Sequence, residues 1–363
     1  RIFAQKPGEG EWDSWISMRS RLALDARLEG GLGLFLQVQD VRYWGEELTN
    51  RDRTADAIDF HQAYLEVDSL PAAGGLIRAG RQEVSLAQGR FLAAPNWGQA
   101  GQTFDGIRWI RFLGATRLDL VYLRLREGSS DVHETSADLS AAWAAFPERA
   151  FGSLDLLALH DRSGGPRGNH QSTVGSIWKL HRGVVGLQAQ GMYQFGERNG
   201  TDVSAYMVAL QASVDILAEQ GSVTLWLDHL SGDDDPFDDE VGVFSTLFGA
   251  RHRFYGRADY FSDIPEDTGD LGLRDAAVKL AFAPSSLSSV NVDFHAFRTA
   301  ELGELSSRRL AEEVDVWIRY RFRESLALES GYAVIFGGPA MEELGRLEGT
   351  GHAGYFMASL YFE

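Results

Sequence analysis

LIRAGRQEVSLAQGRFLAAPNWGQAGQTFDGIRWIRF, residues 76–112, holds two short segments in which apolar and polar side chains alternate, separated by a Gly-, Pro- and Asn-containing excursion with one Trp. Alternation at period two gives a strand two unlike faces. Two such strands joined by a long polar loop form a hairpin that is wet at one end. Arginines lie on or near the polar face of both segments, Arg78 and Arg81 before the loop and Arg108 and Arg111 after it. A strand in a soluble sandwich seldom sets several charges opposite its apolar face unless that face meets water.

The rest of the chain repeats this unit. In Trp12–Leu28, Ile16, Met18, Leu22, Leu24 and Leu28 fall on one face, with Ser20 the exception, and Trp15, Ser17, Arg19, Arg21, Asp25 and Arg27 on the other. A strand of about 9 to 11 residues or more, apolar on one side and charged on the other, is the unit of a membrane barrel with an aqueous lumen. The pattern is strongest near the end, where Val314, Val316, Ile318, Tyr320 and Phe322 alternate with Glu313, Asp315, Trp317, Arg319 and Arg321. Short connections (28–31, 71–75, 113–116, 181–183, 284–289) interleave with long ones (45–57, 86–102, 127–135, 163–171, 231–270, 299–309, 337–352). One trimmed rim and one elaborated rim produce that rhythm. With RIFAQ counted as the remnant of a first strand, the expectation is an all-β, antiparallel transmembrane barrel of about 18 strands, forming one domain over residues 1–363. Leu22, Leu24, Val316, Ile318, Leu360 and Phe362 are expected to face lipid, and 231–270 to be a long extracellular loop folding into or over the lumen.

Composition agrees. No run approaches the roughly 20 apolar residues of a spanning helix. Forty glycines, nine tryptophans and 21 phenylalanines without a cysteine suit a turn-rich β protein. Absent cysteine removes disulfides and thiolate metal sites, and a net charge of -18 argues against nucleic acid. An abrupt opening on RIFAQ, without a signal peptide, is what a processed or trimmed form would show.

The hairpin also resembles a signature of the bacterial alginate export family of outer-membrane porins, in which GRQ (here ending in Gln82) closes one strand and W…TFDG…R, with Asp105, opens the next. LSGDDD at 230–235 followed by RHRFYGRADYF at 251–261 looks like that family's long loop. Residues 311–315 resemble its acidic strand opening, Glu329–Gly338 its penultimate strand, and the closing strand His352–Glu363 an outer-membrane assembly signal, although it ends on Glu363 rather than an aromatic. The resemblance implies a Gram-negative outer-membrane location, with lipid and lipopolysaccharide as surroundings and an arginine-lined constriction that passes an anionic uronate polymer. One departure is Glu329, where the family pattern is arginine-bearing, so the ligand does not carry over with the fold.

Other constellations point nowhere definite. Asp233, Asp235 and Asp239 crowd an acidic loop and form a weak Ca²⁺ candidate, without EF-hand spacing. His252 reads as loop packing, and Trp15, Trp44, Trp97, Trp143 and Trp178 as interfacial girdle residues rather than sugar platforms. No nucleophile stands out, so no enzyme and no cofactor are expected. The pore-lining set is Arg19, Arg21, Asp25, Arg78, Arg81, Gln82, Asp105, Arg108, Arg111, Arg253, Arg257, Glu313, Asp315, Arg319, Arg321 and Glu329. Two functions compete. One is a passive channel for charged or sugar-like solutes, with basic residues facing acidic ones across the pore. The other is a structural sleeve around a periplasmic or surface protein partner. An arginine filter that selects anions is the expectation for the first.

Overall fold

The computed structural model describes all residues except 9, 46–57, 69–73, 127–135, 165–167, 219 and 363. The alternating segments form one antiparallel sheet. Its first strands are β1 (Ile2–Lys6), β2 (Asp13–Leu28), β3 (Leu32–Tyr43), β4 (Asp59–Asp68), β5 (Leu76–Gln82), β6 (Phe104–Leu113) and β7 (Thr116–Arg126). There follow β8 (Ala137–Arg149), β9 (Gly152–Ser163), β10 (Asn169–Arg182), β11 (Val185–Arg198), β12 (Thr201–Ile216), β13 (Gly221–Leu230) and β14 (Glu240–Val241). The last are β15 (Leu273–Ser285), β16 (Ser288–Arg298), β17 (Arg309–Phe322), β18 (Leu326–Gly337) and β19 (Thr350–Leu360). β14 is a two-residue parallel ladder against β12 inside a long loop. The other 18 of these 19 strands close a barrel, because β1 pairs with β2 on one side and with β19 on the other, Ile2 lying opposite both Ile16 and Phe356. Closure leaves no unpaired edge, which a lipid environment requires.

The outer face is apolar where expected. Leu22, Ile318 and Leu360 are 68 %, 50 % and 67 % exposed, and Phe362, just beyond β19, is exposed as well. Exposure on that scale would be costly in water and is what lipid calls for. The lumen face carries Arg, Gln, Asp and Glu on the alternate positions. The rhythm of short turns and long loops has one break, at Asn199-Gly200, where a two-residue connection joins β11 to β12 on the long-loop rim. Both residues have positive φ (55° and 86°), the conformation a tight Asn-Gly hairpin turn uses. The expected connections at 46–57, 127–135 and 165–167, residues 71–73 and Glu363 lie outside the described residues.

The barrel's apolar core sits inside it. Residues 83–103, after β5, and 231–272, after β13, turn into the lumen and bury Val84, Leu86, Phe91, Phe244, Phe254 and Phe261 against wall residues such as Leu123, Leu139 and Met207. Upper lumen positions of β7 to β12 therefore combine apolar side chains with buried polar ones such as Gln171, Thr173 and Gln194, of which Gln194 bonds to the loop at Ser245, and the lower lumen stays polar.

Ile318→Arg should destabilise the barrel by about 2 to 4 kcal/mol if Ile318 lies near the bilayer midplane, whereas Gln211→Arg, on the lumen face, should change stability by less than about 1 kcal/mol. Denaturant titration of the protein refolded into lipid vesicles checks both, and a harmless Arg at 318 would reverse the assigned faces.

Candidate functional site: the constriction under two infolded loops

The two loops hold each other. Phe248 N–H donates to the Phe91 carbonyl at 3.0 Å, Ala93 N–H to the Phe248 carbonyl at 3.1 Å and Ala250 N–H to the Gly89 carbonyl at 2.9 Å. Phe91 meets Phe244 edge to face at 5.8 Å between centroids. Within this apolar cluster lies a fully buried cation, Arg90. Its Nη1 donates to Asp228 Oδ2 of β13 at 2.5 Å and to the Tyr255 hydroxyl at 3.0 Å, and its guanidinium lies 4.2 Å from the Phe254 ring centroid. Burial opposes the charge on Arg90, yet Asp228 and Tyr255 together hold its pKa above the ordinary value. Burial pushes the Tyr255 hydroxyl up as well, so it stays protonated. Nearby, Trp97 stacks on His252 at 3.7 Å between centroids, and His252 Nδ1 lies 2.5 Å from Asp259 Oδ1. His252 is thus a loop-packing residue, as its sequence context implied.

The charged wall below is arranged in clusters. Glu66 accepts from Arg78 at 2.8 Å and from Arg27, whose Nε also lies 3.0 Å from Asp25. Asp119 accepts from Arg108 at 2.5 Å and from Arg117 at 2.7 Å. Glu329 accepts from Arg319 at 2.6 Å and from the Tyr355 hydroxyl at 2.6 Å, with Arg257 Nη1 3.9 Å away. Glu329, the departure from the family pattern, is thus the acid that two arginines share. Arg257 also lies over the Trp317 ring at 3.7 Å and donates to the Tyr355 hydroxyl at 3.0 Å. Arg21 donates to Gln39 Oε1 at 2.7 Å, while Arg19 reaches loop carbonyls, that of Gln99 at 3.1 Å. Arg253 contacts the Gln88 carbonyl at 3.4 Å. Among the described residues neither Arg19 nor Arg253 has a carboxylate within 4.0 Å. Gln82 is buried at the loop entrance, donating to the Gly80 and Gly106 carbonyls. Arg321 occupies the lumen face of β17 near the short-turn rim.

Three residues of the expected pore lining point the other way. Arg81 pairs with Asp105 at 2.9 Å on the outer face, in line with Leu65 and Ile107, and Arg111 shares that face. Each stands three positions from a lumen arginine, Arg78 or Arg108, and an odd offset along a strand reverses the face. The Arg81–Asp105 pair sits beside the long-loop rim, at headgroup depth, where charge is tolerated. The girdle assignment also needs correction: Trp15 stacks on Phe3 in the lumen, Trp97 belongs to the infolded loop, and Trp143 faces Arg117 inside. Trp44 and Trp178 remain outward.

Across from the Glu66 and Asp119 clusters, and beside the Glu329 cluster, the wall is acidic. Glu313 Oε1 accepts the N–H groups of Arg257 at 2.6 Å and Ala258 at 2.9 Å, anchoring the loop. Asp293, His295 and Asp315 are buried with donor atoms within 4.8 Å of one another, an arrangement able to hold a metal ion. Lys279 Nζ already lies 3.0 Å from Asp293 and 3.2 Å from His295 Nε2, so a cation from the chain serves two of the three. The weak Ca²⁺ candidate dissolves into turns: Asp233 and Asp235 accept N–H groups two residues ahead, and Asp239 belongs to no ligand group among the described residues. The residues that sequence reasoning missed include Arg90, Arg117, Asp119, Asp228, Lys279, Asp293 and His295. The only signal for Arg90 was an isolated cation in the apolar run RFLAA.

A cavity of about 430 Å³ lies beneath the loops, with Gln88, Arg253 and Arg257 on the loop side and Trp226, Lys279, Asp293 and Trp317 on the wall. The sequence of residues 4–349 matches the family model described as alginate export. The chain belongs to the alginate export family. No curated protein matches it in sequence. Among solved structures it is similar to Pseudomonas aeruginosa OpdO (TM-score 0.65, 12 % identity, covering 98 % of this chain and 94 % of that one). It is also similar to P. aeruginosa OccK11, or OpdR (0.62, 11 %, 99 % and 94 %), and to OpdK solved with vanillate (0.61, 14 %, 99 % and 96 %). At such identities the likeness is one of fold alone, a closed β-barrel; together with membership of the alginate export family it supports an outer-membrane location.

Arg90→Met should cost about 3 to 5 kcal/mol, because it leaves Asp228 charged and unpaired in a dry site. Arg90→Met/Asp228→Leu should recover most of that loss. Thermal unfolding reads the stability, and single-channel recording should show noisier, larger conductance for the single variant only.

Proposed function

We propose that this outer-membrane channel passes small hydroxylated carboxylates, with a single sugar acid such as a uronate as the type, and not a polymer. The observation that carries the proposal is the stoichiometry of the lumen clusters. Glu66, Asp119 and Glu329 are each shared by two arginines; Asp25 balances Arg27 in the first cluster, while the Asp119 and Glu329 clusters each keep one positive charge beyond neutrality. Asp293 and Asp315 line the wall across from the Glu66 and Asp119 clusters and next to the Glu329 cluster, and a field across the lumen orients a solute that carries a carboxylate and hydroxyls. The cavity beneath the loops falls in the size range of small-molecule sites. OpdK, of the same fold, was solved with vanillate, an aromatic carboxylate. The infolded loops fill with their own apolar core the space that a polymer or an enclosed protein partner would need, which favours a small-solute channel over a sleeve.

Reversal potentials in planar bilayers should show chloride preferred over potassium, and vesicle swelling should be faster in galacturonate than in galactose or an oligo-uronate. Arg117→Gln/Arg319→Gln removes the excess charge of two clusters while leaving Asp119 and Glu329 one arginine each, and should move the permeability ratio toward cations. Cation preference in the unmodified channel, unchanged in the double variant, would sink the proposal.

A further inference from the structure

On the outer wall, residues near the long-loop rim fall into rows of directly opposed side chains. One row runs Arg81, Asp105, Arg124, Asp138, Arg162 across β5 to β9. Its signs alternate, and its ion pairs are close, 2.9 Å for Arg81–Asp105 and 3.1 Å for Arg124–Asp138. That row compensates itself. The row across β13, β15 and β16 does not. It runs His229, Arg274, Arg298, with the two arginines directly opposite each other. Like charges in that position destabilise a sheet. Arg274 Nε donates to His229 Nδ1 at 3.2 Å, and among the described residues no carboxylate lies within 4.0 Å of it. Arg298 pairs with Glu312 at 2.8 Å, but Glu312 also serves Arg309 at 2.5 Å. Two guanidiniums therefore share one carboxylate and the third, Arg274, has none within 4.0 Å among the described residues, on a surface that faces lipid.

The next row down, about 7 Å deeper, is apolar: Leu227, Ala276 and Ala296 stand opposite one another in turn. The two alanines leave a depression beside Leu210 and Leu227, and together with the cationic row they line a groove of about 480 Å³. Leu225, Val278 and Phe294 continue the apolar track below. A paired cationic head above an apolar trough matches a phosphate joined to an acyl chain, and guanidiniums bind phosphate through two parallel donors.

We propose that this groove binds a phosphorylated glycolipid of the outer leaflet, of the lipid A class, whose phosphate bridges Arg274 and Arg298 while an acyl chain lies over Ala276 and Ala296. The bound phosphate replaces the missing acid of the row and relieves the repulsion between the two arginines. Because the groove lies on the outside of the barrel, this site is independent of what passes through the lumen.

The test titrates the detergent-solubilised full-length barrel with bis-phosphorylated lipid A, with the same lipid stripped of its phosphates, and with inorganic phosphate. Native mass spectrometry and thermal unfolding report binding. One lipid A per barrel is expected to bind about tenfold or more tightly than the dephosphorylated lipid, and inorganic phosphate alone should give no shift. Arg274→Gln/Arg298→Gln should lose that preference, while Arg124→Gln, in the self-compensated row, should keep it. Without lipid, Arg274→Gln should unfold at the same or a higher temperature than the parent, since it removes a like-charge pair; a clear fall would show that Arg274 is satisfied within the protein. Equal binding of the dephosphorylated lipid would reduce the groove to an apolar depression, an equal shift by inorganic phosphate would make it a free-anion site, and unchanged binding by the double variant would place the lipid elsewhere. Each of these overturns the proposal.

Discussion

A charged pair with no water around it governs the upper half of this barrel. Arg90 and Asp228 are both essentially unexposed, at 1 % and 0 % of their side-chain surface. Removing two charges from water costs several kcal/mol per ion, and only good geometry and further hydrogen bonds offset it. Here the further bond comes from Tyr255 on the second loop, and the apolar cover comes from Phe254 of the same loop. The pair is therefore affordable only when both loops are in place. The loop after β5 brings Arg90, the loop after β13 brings Tyr255, and β13 itself brings Asp228, so the three elements are mutually conditional.

That condition explains where the core lies. An 18-stranded barrel encloses more space than its inward side chains can fill. In this chain the two loops supply the missing volume near the extracellular rim, with Phe91, Phe244 and Phe261 packed on wall residues. At the lower edge of the loops Gln88 donates to Gln188 at 2.9 Å, and the wall turns there to Gln188, Gln211 and Thr224, polar side chains that water can also satisfy. The same strands therefore carry two patterns along their length, largely apolar inside at the top, with a few buried polar groups that bond to the loops or one another, and polar inside at the bottom, while the outer face stays apolar between the rims.

The barrel was legible because its signal is the simple one of period two, repeated for almost every strand and interrupted by loops in the expected rhythm. Trp12–Leu28 and Val314–Phe322 alone fix which side meets lipid. What the pattern could not show was the side of each charge when charges cluster: Arg78 and Arg81 look alike in the string RAGR, yet three positions separate them and they face opposite ways. Asn199-Gly200 was missed because a tight turn on the long-loop rim contradicts the rhythm, although the dipeptide itself carries the hairpin signal. The core in the lumen was hidden for a different reason. Apolar runs such as RFLAA at 90–94 and VGVFSTLF at 241–248 lie in segments that composition marks as loops, and their partners are brought together only by closure of the sheet. Asp293, His295 and Lys279 likewise come from two strands whose alternation alone says nothing of depth or neighbours.

The net charge of -18 and the proposed preference of the lumen for anions are compatible because the charges occupy different places. Six of the 52 acidic residues crowd the exposed loop Asp233–Glu240, where side chains cap their own backbone and face solvent. Beyond a Debye length of about 8 Å in physiological salt, such charges are largely screened. The guanidiniums of the lumen act on a solute at contact distance and in a narrow, partly desolvated space, where a low-dielectric wall focuses the field. A carboxylate shared by two arginines does more than neutralise one of them. It fixes both forks in the wall, so that the remaining positive charge is held in one position and not spread over a mobile side chain. Selectivity in this barrel then depends less on how many arginines line the lumen than on how few acids they have to share.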